Sequence, residues 1–213
     1  MWTDASRDAM LISETVSEPA ARHLLYQARV NLRLFNFARD RLHEAMDELN
    51  AEDFARVASN HMTEGVFGAD KHRANQMMLK EDVLGLLLAV VTAGHRFTRS
   101  VKGARTTDRG RDWRELRSDI DQLERTFHRV RNFMEHLDEA IAKGGLAQSM
   151  DCTFTPDAVL TCKQREASTD FTFSRGALES CQEVYDSVLQ ILEKRKITEP
   201  QDQPVNEWGQ VSY

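Results

Sequence analysis

No proline occurs between Pro19 and Pro156, a run of 136 residues. Proline breaks helices because it lacks an amide proton and its ring clashes with the preceding turn, so so long a run without it is most simply read as helical. The remaining composition agrees. The chain has 213 residues, 41% of them apolar and 29% charged, with 4 Pro and 10 Gly. That suits one domain with a core of its own, and excludes collagenous, proline-rich and disulfide-scaffold classes. Cys152, Cys162 and Cys181 show no metal or redox spacing and leave one thiol unpaired under any disulfide scheme. Neither a metal nor any other cofactor is expected.

Periodicity places the elements. Residues 1–17 mix Asp, Arg and Glu without an apolar run and read as a flexible lead, not a signal peptide. Ser17-Glu18-Pro19 is a helix start, followed by a stripe of Leu25, Ala28, Leu32, Phe35, Leu42, Met46 and Leu49. Asn50-Ala51-Glu52-Asp53 can cap a short second helix, with Gly65 and Gly68 marking the loop after it. A third helix is expected over 75–102, apolar all round at Leu84–Val91 and therefore buried in the middle of a bundle. Residues 103–110 read as a polar loop. The fourth helix spans about 112–143, with Leu123, Phe127, Val130, Met134, Leu137 and Ile141 on one face and Gly144-Gly145 as its stop.

Between residues 151 and 174 the chain turns to short β-favouring runs, Cys152–Thr155, Val159–Cys162 and Asp170–Phe173, a small antiparallel hairpin or flap inserted before a last helix over 176–194. The fold class is mainly α. One helical domain occupies 18–195, and 196–213 form a mobile tail. The longest uncharged run, Val83–Gly94, is too short to span a membrane, so a cytoplasmic protein is expected.

The net charge of −6 argues against coating nucleic acid through bulk charge. It is unevenly spread: residues 1–70 carry −5, residues 71–131 carry +6 and residues 132–213 carry −7. The basic centre is where the chemistry-bearing residues lie. On the fourth helix, Arg131-Asn132-Phe133-Met134-Glu135-His136 projects away from the apolar stripe. At about 100° per residue from Arg131, Asn132 falls at about 100° and His136 at about 140°, whereas Val130 and Leu137 fall near −100° and −120°. This polar face points to water or to another protein surface.

Arg-Asn-x-x-x-His on a long helix of an α-helical bundle resembles the signature of the HEPN superfamily, many members of which are metal-independent ribonucleases. Arg131, Asn132 and His136 match it position by position, and the likeness covers residues 18–145. An Arg with a His five residues on arises by chance roughly 0.7 times in such a composition, and Arg56 with His61 is a second instance; requiring Asn directly after the Arg lowers this to roughly 0.02, which only Arg131 satisfies. The resemblance implies an HEPN-like bundle acting as an endoribonuclease in a homodimer, the motifs of two copies facing each other across a composite cleft. It also implies a toxin or a stress- or phage-response component, with an antitoxin or complex partner. Arg131, Asn132 and His136 are then the catalytic residues.

Those residue types suit the chemistry. When a 2′-hydroxyl attacks its neighbouring phosphate, one proton leaves and another is delivered to the departing oxygen, and His titrates in the range that serves either step. A guanidinium holds the phosphoryl oxygens, and Asn132, one turn before His136, can orient the imidazole. His128 and Arg129 are neighbouring RNA contacts. Arg99, Lys102, Arg105, Arg109 and Arg111 suggest a track for the phosphodiester backbone. The alternative is a non-catalytic helical module for dimerisation or for docking RNA or protein, or a solvated surface with no ligand.

Overall fold

The computed structural model describes residues 4–61, 66–108, 111–142, 150–153, 158–164 and 171–198, with side chains described over 6–52, 74–108, 113–132 and 176–197. Within these bounds the chain is mainly helical. Helix α1 is Asp4–Thr15, α2 Pro19–His61 and α3 Val66–Thr107. A 3-10 turn at Arg111–Arg114 leads into α4, Arg117–Ala142, and the last helix, α5, is Arg175–Thr198. Strands β1 (Met150–Thr153), β2 (Ala158–Gln164) and β3 (Phe171–Ser174) pair antiparallel in that order, with Cys152 opposite Cys162 and Thr161 opposite Thr172.

The segment expected to be a loose lead is instead α1. Arg7 and Glu14 lie on its outer face, Asp8 turns toward Arg29 of α2, and Leu11, Ile12 and Val16 go inward. The Arg22 guanidinium donates to the Val16 carbonyl from Nε and Nη2 at 3.1 and 2.9 Å, satisfying a carbonyl just past the end of α1. Tyr26 donates from its hydroxyl to the Ala9 carbonyl. At the other end of the chain, Arg7 pairs with Glu193 and Glu14 with Lys196, so α1 lies along α5.

The break expected at Asn50 does not occur: α2 is one helix of 43 residues. Asn50 and Asp53 are good capping residues, but local preference is a weak prior that tertiary context overrides, and Leu49 is buried directly beside Asn50. α3 likewise begins at Val66 and includes Gly68; Gly65 lies outside the described residues. The two long helices run antiparallel, since Leu24 near the start of α2 meets Gly103 near the end of α3. The expected α2 stripe is buried throughout.

Helix α3 is not buried all round. Val83, Leu87, Val90 and Val91 are inside, but Leu88 is 41% exposed and Gly85 and Ala89 face outward, because α2, α4 and α5 cover only part of its circumference. Where α3 crosses α4, Gly94 lets the Phe127 ring lie against the helix backbone. Phe127 in turn sets its ring edge-to-face on Phe35 at 5.8 Å, and these three residues join α2, α3 and α4 at the centre of the core. Cys181 is fully buried on α5.

The loop expected from Gly103 begins only after Thr107. Val101 and Ala104 are buried and hold the last turns in place, and the Asp108 amide donates to the Ala104 carbonyl at 2.8 Å. Asp108 Oδ2 then accepts from Trp113 Nε1 and from Arg195 Nη1, both at 2.6 Å, and the Arg195 guanidinium lies over the Trp113 ring. This clasp joins the end of α3, the 3-10 turn and α5 with its ionised groups about 85% buried. Asp108→Ala removes the carboxylate that the Arg195 guanidinium and the Trp113 N–H share. The expected cost is about 2–3 kcal/mol, read as a lower urea midpoint at unchanged slope. Asp108→Asn should lose less, because it keeps an acceptor. Equal midpoints for Asp108→Ala and the parent would show that the clasp contributes nothing.

Candidate functional site

Helix α4 places the predicted motif against α3, not against water alone. Its buried face, Ile120, Leu123, Phe127 and Val130, fixes the rotation of the helix. Arg131, His128 and Asn132 then emerge exposed beside the flank of α3. There the Arg131 guanidinium donates from Nη1 to His95 Nδ1 at 3.4 Å, a long hydrogen bond. An arginine can only donate, so His95 accepts at Nδ1 and carries its proton on Nε2. The His95 and His128 rings stack with centroids 6.0 Å apart and planes 26° apart. Asn132 Nδ2 lies 3.3 Å from His128 Nε2 across one helical turn. The face expected to be covered only by water or by another protein is therefore shared with a neighbouring helix of the same chain, while its side chains stay accessible.

His95 is the residue that sequence reasoning missed. It sits 7% exposed on α3, directly after the uncharged run Val83–Gly94 and before Arg96. Nothing in that local pattern distinguishes it from a surface histidine; only tertiary packing reveals that it faces α4. Burial lowers its pKa from the usual 6.5, and the positive charges of Arg131 and Arg99 and the nearby His128 push it the same way, against a smaller opposing pull from Glu124. His95 is therefore neutral at pH 7. When the pH falls through 6.5 the unfolded chain takes up a proton at this position before the folded chain does, so folding stability declines with acidification across that window. His95→Gln should flatten the fall in melting temperature between pH 7 and pH 5. Parallel slopes for parent and variant would refute this.

An open groove of about 780 Å³ runs beside these groups between α2, α3 and the edge of α4. Arg96, Arg99 and Arg131 line it with His23 and His95, and among the described residues no carboxylate belongs to its wall. Val30 and Tyr26 supply apolar surface from α2.

The other residues of the expected backbone track are arranged differently. Lys102 pairs with Glu124 and lies 3.8 Å from Asp121; Arg105 and Arg117 also approach Asp121, at 3.6 and 3.7 Å. Lys102 and Arg105 are thus turned to carboxylates of α4, whereas Arg99 opens to the groove. Arg129 is exposed on α4, away from this wall. Arg109 lies outside the described residues, as does the side chain of Arg111, whose backbone opens the 3-10 turn. His136 is helical within α4, and its side chain lies outside the described residues. The tail beyond Thr198 is outside them too.

Among the described residues, no three His, Cys, Asp or Glu side chains converge so as to hold a metal ion, and no helix is long and apolar enough to cross a membrane. Compared with known protein families, curated proteins and solved structures, the chain matches none.

Proposed function

We propose that this chain is a metal-independent endoribonuclease of the HEPN type, an HEPN-like bundle carrying a small β flap before its last helix and working as a homodimer. Arg131, Asn132 and His136 of each copy contribute to a composite site. His136 of one copy takes the proton from the attacking 2′-hydroxyl, and His136 of the other returns a proton to the departing 5′-oxygen. The products are a 2′,3′-cyclic phosphate and a 5′-hydroxyl. Arg131 holds the phosphoryl oxygens as charge builds on them. Such a nuclease would act as a toxin or a defence component, restrained by an antitoxin or complex partner.

What supports this reading is one observation: Arg131 is exposed at the rim of a groove with two further arginines and, among the described residues, no carboxylate in its wall, in a chain whose net charge is −6. The test is cleavage of tRNA and mRNA in EDTA by the parent and by His136→Ala, with product ends checked for cyclic phosphate and mass measured in solution. Metal-free cleavage that His136→Ala abolishes upholds the reading. No cleavage by the parent, or a strict monomer, overturns it.

A second reading, a non-catalytic docking module, is favoured by the pairing of Lys102 and Arg105 with Glu124 and Asp121, which removes two cations from the RNA-facing set. It requires that motif substitutions change association and leave bond breakage absent throughout.

A further inference from the structure

The groove and the apolar residues beside it form one continuous strip. On α2, His23, Val30, Leu34 and Phe37 recur at seven, four and three residues and so share a face. His23 and Val30 lie in the basic part of the groove, and Leu34 and Phe37 extend the same face along the helix, 53% and 69% exposed. On α3, Leu88 lies seven residues before His95, on the same side. Because α2 and α3 are antiparallel, Phe37 and Leu88 lie toward the same end of the strip and Arg96 and Arg99 toward the other. One end offers the guanidinium groups of Arg96 and Arg99, with no carboxylate among the described residues of the groove wall; the next two turns offer an exposed aromatic ring and aliphatic side chains.

We infer that this strip between α2 and α3 binds single-stranded RNA lengthwise, its phosphates on Arg96, Arg99 and Arg131 and its bases laid over Val30, Leu34 and Phe37. The inference rests on the proposed action on RNA and adds to it where the strand lies and in what form. Arg96 and Arg99 are three residues apart, so their side chains leave α3 as neighbours and can engage successive phosphates. A single strand is required because paired bases keep their faces stacked inside the duplex, where an aromatic ring cannot reach them. The strip also takes the place of the track through Lys102 and Arg105, whose charges are already met within the chain.

The experiment uses the full chain and a fluorescent 2′-O-methyl oligouridine, which lacks the attacking hydroxyl and cannot be cleaved. Binding is followed by anisotropy at two salt concentrations for the parent, Arg96→Glu/Arg99→Glu, Phe37→Ala and Arg114→Glu/Arg117→Glu. The last pair makes the same charge change at two exposed residues outside the groove. Circular dichroism confirms that each is folded. The expected result is at least tenfold loss in Arg96→Glu/Arg99→Glu relative to Arg114→Glu/Arg117→Glu together with a shallower salt dependence, and several-fold loss in Phe37→Ala.

If Arg96→Glu/Arg99→Glu binds as Arg114→Glu/Arg117→Glu does, or the parent does not bind, the inference is overturned, and the cleavage assay in EDTA still decides the ribonuclease reading separately. If Phe37→Ala lowers the solution mass and leaves RNA affinity intact, a second copy covers the apolar part, and the placement of the bases is overturned.

Discussion

Truncating Phe127 to alanine is expected to lower the free energy of unfolding by about 3–5 kcal/mol. The ring is fully buried, contacts Phe35 edge-on and lies against the backbone of α3 at Gly94, so its removal empties the point where three helices meet. The same crossing is intolerant of added volume. A Cβ at Gly94 would stand 2.6 Å from Phe127 Cζ, and the ring has Phe35 beside it. Gly94→Val should therefore cost about 1–3 kcal/mol through overpacking. The two changes share one space, so they should not be additive: Gly94→Ala combined with Phe127→Leu is expected to be more stable than the sum of the single changes predicts. Urea unfolding followed by circular dichroism measures all of these. A loss under about 1 kcal/mol for Phe127→Ala would mean that α4 repacks readily and that the crossing does not set its rotation.

Arg131→Ala is expected to reduce metal-free RNA cleavage by about 10²–10³-fold, the usual cost of deleting one preorganised donor to a developing oxyanion. Its stability should change little, because the side chain is exposed and its hydrogen bond to His95 is long. Arg131→Lys should recover only part of the rate, since an ammonium group brings the charge without the planar pair of donors. Single-turnover rates in EDTA, alongside thermal melts, separate this from unfolding. Cleavage within about threefold of the parent by Arg131→Ala would remove Arg131 from the chemistry.

The long helices were legible because a core face repeats locally: Leu25 through Leu49 can be counted along the chain, and every member of that stripe is buried. Helix α1 was not, because among its described residues only Leu11 and Ile12, with Val16 just beyond, are fully buried, and polar and charged residues fill the rest of a short window. The false break at Asn50 and the false loop at Gly103 have a common cause. Capping residues and glycines mark where a helix can end, but tertiary packing overrides them: Leu49 is buried beside Asn50, and Val101 and Ala104 are buried on either side of Gly103.

At the candidate site, sequence spacing put Arg131 and Asn132 on the outward side of α4, and both are exposed there. It could not show that His95, 36 residues earlier, meets Arg131, nor that Lys102 and Arg105 spend their charge on Asp121 and Glu124. Such pairings depend on how two helices are rotated against each other, which no window along the chain contains.

The first and last helices are stitched together, with Arg7 bound to Glu193 across 186 positions, whereas α2 and α3 are neighbours in sequence. During synthesis the long hairpin can therefore assemble as soon as it leaves the ribosome, while α1, which also meets α2 at Arg22, Tyr26 and Arg29, gains its contacts with α5 only when that helix is made. The seam between α1 and α5 should accordingly be the last part of the described fold to close.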